Sequence, residues 1–233
     1  MKKVTAILVL FFLSSCAELQ QIASETMRNQ PLTNIDISNG LKQALEQGIS
    51  DRVSSLTEPE GFFRNELVRI MLPEELQRVD SALRSIGLGS LADEGLKLMN
   101  RAAEEAVAEA TPIFIDAIRQ MSIQDARGIL MGEQNAATQY LQRTTQDGLM
   151  QRFQPIIESN FNKVGANEIW SNIITRYNRI PLMSPVNPDL TDYVTEQALS
   201  GVYTMVEVEE KEIRSSINAR KTDLLRRVFA LQD

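Results

Sequence analysis

Residues 96–118, LKLMNRAAEEAVAEATPIFIDAI, carry the pattern that decides the fold class. Leu91, Leu96, Met99, Ala103, Ala106, Val107 and Ala110 recur along one face at the helical period, with Glu104, Glu105 and Glu109 elsewhere. Alanines at 102, 103, 106, 108 and 110 favour helix and let a neighbouring helix approach closely. Pro112 predicts a new turn or a kink, and the following Ile113, Phe114, Ile115 and Ile118 are apolar nearly all round, which predicts a buried segment.

The same period extends in both directions. Upstream, Leu41, Ala44, Leu45, Ile49 and Val53 predict an amphipathic helix from Ser38 to about Ser55. Pro59 and Gly61 mark a turn, and Val68 to Leu72 is a short apolar run that could be extended. Pro73 suits the first turn of a helix through Leu76, Val79, Leu83 and Ile86, which Gly87 and Gly89 end and after which Ser90 caps the next. Downstream, Ser122 with Asp125 forms a capping box for a short helix ending near Gly132. Asn135 opens the next helix, and residues 145–164 form another, with Leu149, Phe153, Ile156, Ile157 and Phe161. Asn167 starts a helix with Trp170, prolines 181, 185 and 188 make a loop, and a long helix spans about Leu190 to Arg214. A last helix reaches Leu231. No alternating strand pattern or fixed-period repeat occurs, so the expected architecture is one all-α domain over residues 37–233, a multi-helix bundle of about eight to ten helices.

Several motifs together resemble the bacterial domain of unknown function 4197 family. They are Asn100-Arg101-Ala102-Ala103-Glu104, Asp116-Ala117-Ile118 with Gln120-Met121, Asp125-Ala126 with Ile129-Leu130 and Gly132, and Ala136-Ala137-Thr138 with Tyr140. Tyr193-Val194-Thr195, Ala198-Leu199, Gly201, Glu209-Glu210, Ile213-Arg214, Arg220, Thr222, Leu224-Leu225 and Val228-Phe229 continue the match, which covers about Leu41 to Phe229. The resemblance implies a secreted or lipid-anchored helical protein and carries no catalytic roles with it.

Composition excludes several chemistries. The 233 residues contain no histidine, which removes the Ser/His/Asp arrangement and His-containing metal sites. Cys16 is the single cysteine, so no intramolecular disulfide or dithiol pair can form. With 24 basic against 31 acidic side chains, a nucleic-acid backbone is repelled on average, and nucleic acid is not an expected partner. Gly-rich phosphate loops and Ser/Lys pairings are missing, and no cofactor is implied.

The N-terminus reads differently. Lys2 and Lys3 precede the apolar run Val4 to Phe12 and then Leu13-Ser14-Ser15-Cys16, a charged, apolar and small-residue order that predicts a signal peptide over residues 1–15. The run is too short to span a bilayer, and Cys16 stands where a bacterial lipobox places its acylated cysteine. Diacylation supplies the two chains that stable anchoring requires. Losing Lys2 and Lys3 leaves a net charge of −9, so the lipid rather than a basic surface would hold the membrane. Residues 16–36, polar and broken by Pro31, are expected to be a flexible tether in the bacterial cell envelope.

The candidate site is a polar group of Asn100, Arg101, Glu104, Asp116, Gln120, Asp125 and Thr138. Asn100 and Glu104 are four apart, as are Asp116 and Gln120, so each pair shares a helix face. Such a group either fixes helix packing by hydrogen bonds or holds a ligand or anion through Arg101. Glu104, Asp116 and Asp125 together could instead hold a hard cation, although no calcium-loop spacing is present and no metal is assigned. Tyr193, Glu209, Glu210 and Arg214 read as a solvated charged face, and Phe62, Phe63, Trp170 and Tyr203 as core or groove-lining residues. The function expected is that of an envelope-anchored binding or structural module for an envelope protein or small molecule. The alternative is a carboxylate-based metal-dependent or hydrolytic enzyme.

Overall fold

The computed structural model describes residues 31–85, 89–163, 171, 174–175, 178 and 189–232. Cys16, the segment 1–15, the tether up to residue 30, the Asn167 helix start with Trp170, and the prolines at 181, 185 and 188 lie outside the described residues. Among the described residues the chain forms eight α-helices and no strand: α1 (Asn34–Thr57), α2 (Glu74–Ser85), α3 (Gly89–Val107), α4 (Ala110–Gln120), α5 (Ile123–Leu130), α6 (Ala136–Lys163), α7 (Thr191–Ser215) and α8 (Asp223–Phe229). A 3-10 turn at Ile217–Ala219 joins the last two. The fold is all-α, as the periodicity predicts.

α1 starts four residues before Ser38, inside the segment assigned to the tether. Thr33 Oγ1 accepts from the Asp36 amide at 3.2 Å, and Asp36 Oδ2 accepts from the Thr33 amide at 2.9 Å. This reciprocal box satisfies two amides that a helix start leaves unpaired. The apolar spacing could not reveal it, because the signal is polar.

Leu41, Ala44, Leu45, Ile49, Val53 and Leu56 then turn into the core. The alanine-rich run forms α3, buried through Ala102, Ala103, Ala106 and Val107. The chain breaks at Ala108–Glu109, where the Glu109 amide bonds the Ala106 carbonyl at 3.1 Å. Pro112 therefore lies within the first turn of α4, where a missing N–H is harmless. α4 is amphipathic rather than buried all round: Phe114 and Ile118 are buried, Ile113, Ile115 and Ala117 half-buried, and Asp116 exposed.

The helices predicted after Asn135 and over 145–164 are one helix of 28 residues, α6. Its buried positions Ala137, Leu141, Thr145, Leu149, Phe153, Ile157 and Phe161 recur every four residues. Thr145 stands in that stripe, so the apolar pattern looks interrupted where the helix is not. α7 is the axis of the bundle and packs on α1, α3 and α6, its pairing with α6 being the most extensive. Val194, Ala198, Val202, Met205 and Ile213 face inward along it as predicted. Phe114 and Tyr203 meet edge to face, with ring centroids 5.8 Å apart.

Gly201 of α7 lies against the α1–α2 connector. A Cβ there would stand 2.7 Å from Phe62 Cε1 and 3.2 Å from Val68 Cβ, and the Phe62 ring is fully buried and cannot yield. Gly201→Ala is expected to lower stability by about 1–3 kcal/mol in urea unfolding. Gly128→Ala, in α5 with nothing within 4 Å, is expected to raise it by about 0.5–1 kcal/mol.

Candidate functional site

The polar residues of α3 hold the connector between α1 and α2. Residues 69–73 adopt no helix, so their backbone groups need partners from elsewhere. Asn100 supplies them: its Oδ1 accepts from the Ile70 amide at 2.8 Å, and its Nδ2 donates to the Ile70 carbonyl at 2.9 Å and to Leu96 O at 2.8 Å. One fully buried amide thus serves Ile70 as a neighbouring strand would. One turn later, Glu104 Oε1 accepts from the Phe62 amide at 3.2 Å, and its Oε2 pairs with Arg101 Nη1 at 3.2 Å. Glu104 is 2% exposed and the Arg101 side chain 51%, so the carboxylate is an internal anchor and the guanidinium its solvent-facing counter-ion. Tyr193 OH, from α7, donates to Met71 O at 2.8 Å and holds the far end of the same segment.

Thr138 belongs to a second cluster, around Glu210. Glu210 Oε1 accepts from the Ala137 amide (2.9 Å) and from Arg214 Nε (3.0 Å) and Nη2 (2.8 Å). Its Oε2 accepts from the Thr138 amide and hydroxyl, both at 2.8 Å. The carboxylate therefore occupies the N-terminus of α6, where free amides and the helix dipole favour negative charge. Arg214 does the reverse at the end of α5: Nη2 donates to Ile129 O at 2.8 Å and Nη1 to Leu130 O at 3.2 Å. This pair is buried, with side chains 4% and 5% exposed, and is not the solvated face predicted. Its spacing contained the signal, since Glu210 continues the buried stripe of Val202, Val206 and Ile213. The run of charged neighbours at 207–212 obscured it.

The remaining candidates stand apart from both clusters. Asp116 and Gln120 are exposed and, among the described residues, have no side-chain partner. They border a groove of about 290 Å3 between α4 and α6, with Tyr140, Thr144 and Thr145. Asp125 is exposed and closes the capping box of α5: its Oδ2 accepts from the Ser122 amide at 3.0 Å and hydroxyl at 2.6 Å. These bonds hold its carboxyl below the usual range. The stabilisation from this cap is present at neutral pH and fades as pH falls through that lowered value. The seven candidates thus divide among four places. Glu104, Asp116 and Asp125 have separate surroundings, and among the described residues no three acidic or thiol groups gather as a metal site would require.

A second groove, of about 340 Å3, runs between α6 and α7. Gln142, Gln146, Glu196 and Ser200 line its walls, and Met150, Leu199 and Tyr203 give it an apolar floor. The first four have no side-chain partner among the described residues. Thr145, in the other groove, donates to Leu141 O at 2.6 Å, so Tyr203 OH donates to Thr145 Oγ1 at 2.9 Å. Burial raises the Tyr203 phenol above its ordinary value and keeps it a proton donor. The sequence did not single out Gln142, Gln146 or Ser200, which look like any exposed helix surface until α7 is set beside α6. Arg220, one residue of the family-like motifs, is 2% exposed. It donates to Ile213 O at 3.1 Å and Arg214 O at 2.9 Å, closing the end of α7.

Asn100→Ala leaves both groups of Ile70 without their partner and is expected to destabilise the protein by about 1–3 kcal/mol in thermal unfolding. Arg214→Ala strands a buried carboxylate, and a loss of about 3–5 kcal/mol in urea is expected. An Asp116→Asn control, altering an exposed carboxylate, is expected to stay within about 0.5 kcal/mol of the parent.

A family model described as Protein of unknown function (DUF4197) matches residues 31–230, the whole of the helical body just described. No curated protein and no solved structure matches the chain. With the matched region spanning α1 to α8, both polar clamps and both grooves, the chain belongs to the DUF4197 family of proteins of unknown function.

Proposed function

We propose that this protein is a lipid-anchored component of the bacterial cell envelope that acts as a binding or structural module, with the α6/α7 groove as its recognition surface. The observation that carries the reading is a division of labour among polar side chains. Asn100, Glu104, Thr138, Glu210 and Arg214 are consumed by bonds to the protein's own backbone and to one another. Gln142, Gln146, Ser200 and Glu196 point donors and acceptors into an open groove with an apolar floor, a combination that suits a polar ligand or a segment of another protein.

The anchor is supported by Lys2-Lys3, the apolar run and Leu13-Ser14-Ser15-Cys16. Among the described residues no helix is long and apolar enough to cross a membrane. The acidic body adds no electrostatic hold of its own.

Cys16→Ser is expected to abolish incorporation of radiolabelled palmitate and to move the protein from the membrane pellet to the soluble fraction. Unchanged pelleting would end the anchor reading. For the groove, a photo-crosslinker at Gln146 of the anchored protein is expected to trap a discrete envelope component. Ser200→Arg should suppress that adduct without shifting the melting temperature, whereas an adduct unaffected by the arginine would place the binding surface elsewhere.

A further inference from the structure

The Leu130 carbonyl is a meeting point of three segments. It accepts from Arg214 Nη1 at the end of α7 and from Gln232 Nε2 after α8. Next to each of these groups stands a large apolar side chain left in solvent: Met131 at 62% exposure, Leu231 at 49% and, three residues past Arg214, Ile217 at 62%. A fourth, Ile35 at 59% exposure, lies in the first turn of α1. α1 and α8 are in contact here, since a Cβ on Gly40 would lie 2.8 Å from Val228 Cγ2. Arg127, exposed in the last turn of α5, has no side-chain partner among the described residues. Single exposed apolar residues need no explanation, but several at one end of a fold do.

That end is also where the chain enters the body. α1 begins at Asn34 against α8, and Cys16 lies 17 residues before Thr33. Seventeen residues reach at most about 60 Å even fully extended. A body of roughly 200 residues has a radius of gyration of about 16 Å. Acylation of Cys16 therefore keeps this end, where the chain joins the body, within about 60 Å of the bilayer and raises its effective concentration there.

We propose that the face formed by Ile35, Met131, Ile217 and Leu231 rests on the phospholipid surface that carries the acyl chains, with Arg127 set against lipid phosphate. The contact rests on the lipid-anchor reading above and adds an orientation to it. It is mainly apolar, and the net negative charge of the body, which opposes approach to anionic lipid, is screened beyond a Debye length of about 8 Å at physiological salt. The body stands on this end, and the opposite end of α7, about 37 Å away along a 25-residue helix, faces away from the membrane. There Tyr193 holds Met71, and Leu67 is exposed.

The full acylated chain in phosphatidylethanolamine/phosphatidylglycerol vesicles provides the test. Because acylation occupies the single natural cysteine, Ile217→Cys and Leu67→Cys each provide one thiol for an environment-sensitive fluorophore. Quenching by spin-labelled lipid is expected to be at least threefold stronger at position 217 than at 67. Met131→Glu with Leu231→Glu, both at exposed positions outside the core, should bring the two positions level while vesicle flotation is retained. Equal quenching at 217 and 67 in the parent, with flotation intact, overturns the face and leaves the anchor standing. Failure to float removes the anchor and the face together.

Discussion

The buried pair Glu210–Arg214 is the constraint on which the helical arrangement depends. An ion pair taken out of water has to recover the hydration both charges lose, and Coulomb attraction alone seldom suffices. Here each charge is also given to the end of a helix. The carboxylate accepts five hydrogen bonds, two of them from backbone amides in the first turn of α6, and the guanidinium meets the last carbonyls of α5. A carboxylate at an N-terminus and a cation at a C-terminus both sit favourably in the helix field. Because the two side chains are one turn apart on α7, they fix the short α5–α6 turn against the central helix. Arg220 extends the arrangement by closing α7 itself.

The same economy governs the other irregular part of the backbone. A non-helical connector crossing a helical bundle has no strand beside it, and its buried amides and carbonyls must find side chains. Asn100 and Glu104, on one face of α3, meet that requirement at Ile70 and Phe62. Polar residues inside this protein therefore serve its own backbone. Two grooves flank α6, and the Tyr203 hydroxyl lining one bonds the Thr145 hydroxyl lining the other. That distribution is what supports the proposed binding or structural role.

Most of the fold was legible because apolar periodicity reports directly on which helix face is buried. The inward face of α7, the capping box at Ser122 and Asp125, and the all-α class were readable for this reason. What was not readable depends on tertiary pairing. α6 looked like two helices because Thr145 breaks its apolar stripe, and the buried hydroxyl is satisfied by Leu141 O of its own helix and by the Tyr203 hydroxyl across the interface. α1 looked shorter because its first turn is secured by Thr33 and Asp36 rather than by core contacts. Of the candidate polar group, the spacing correctly placed Asn100 and Glu104 on one face. It could not show that Thr138 belongs with Glu210, since those residues are brought together by helices 72 positions apart. The exposed Asp116, Gln120 and Asp125 looked equivalent to the buried members because sequence alone does not separate a polar residue that faces solvent from one that faces a backbone amide.

Native-state hydrogen exchange at the Ala137 and Thr138 amides tests the central claim most directly. First-turn amides ordinarily exchange fast, since no preceding carbonyl protects them. If the Glu210 carboxylate holds the start of α6, these two amides exchange as slowly as those in the middle of α6, limited by global unfolding. Exchange as rapid as that of Asn34 and Ile35, in the exposed first turn of α1, would contradict the account.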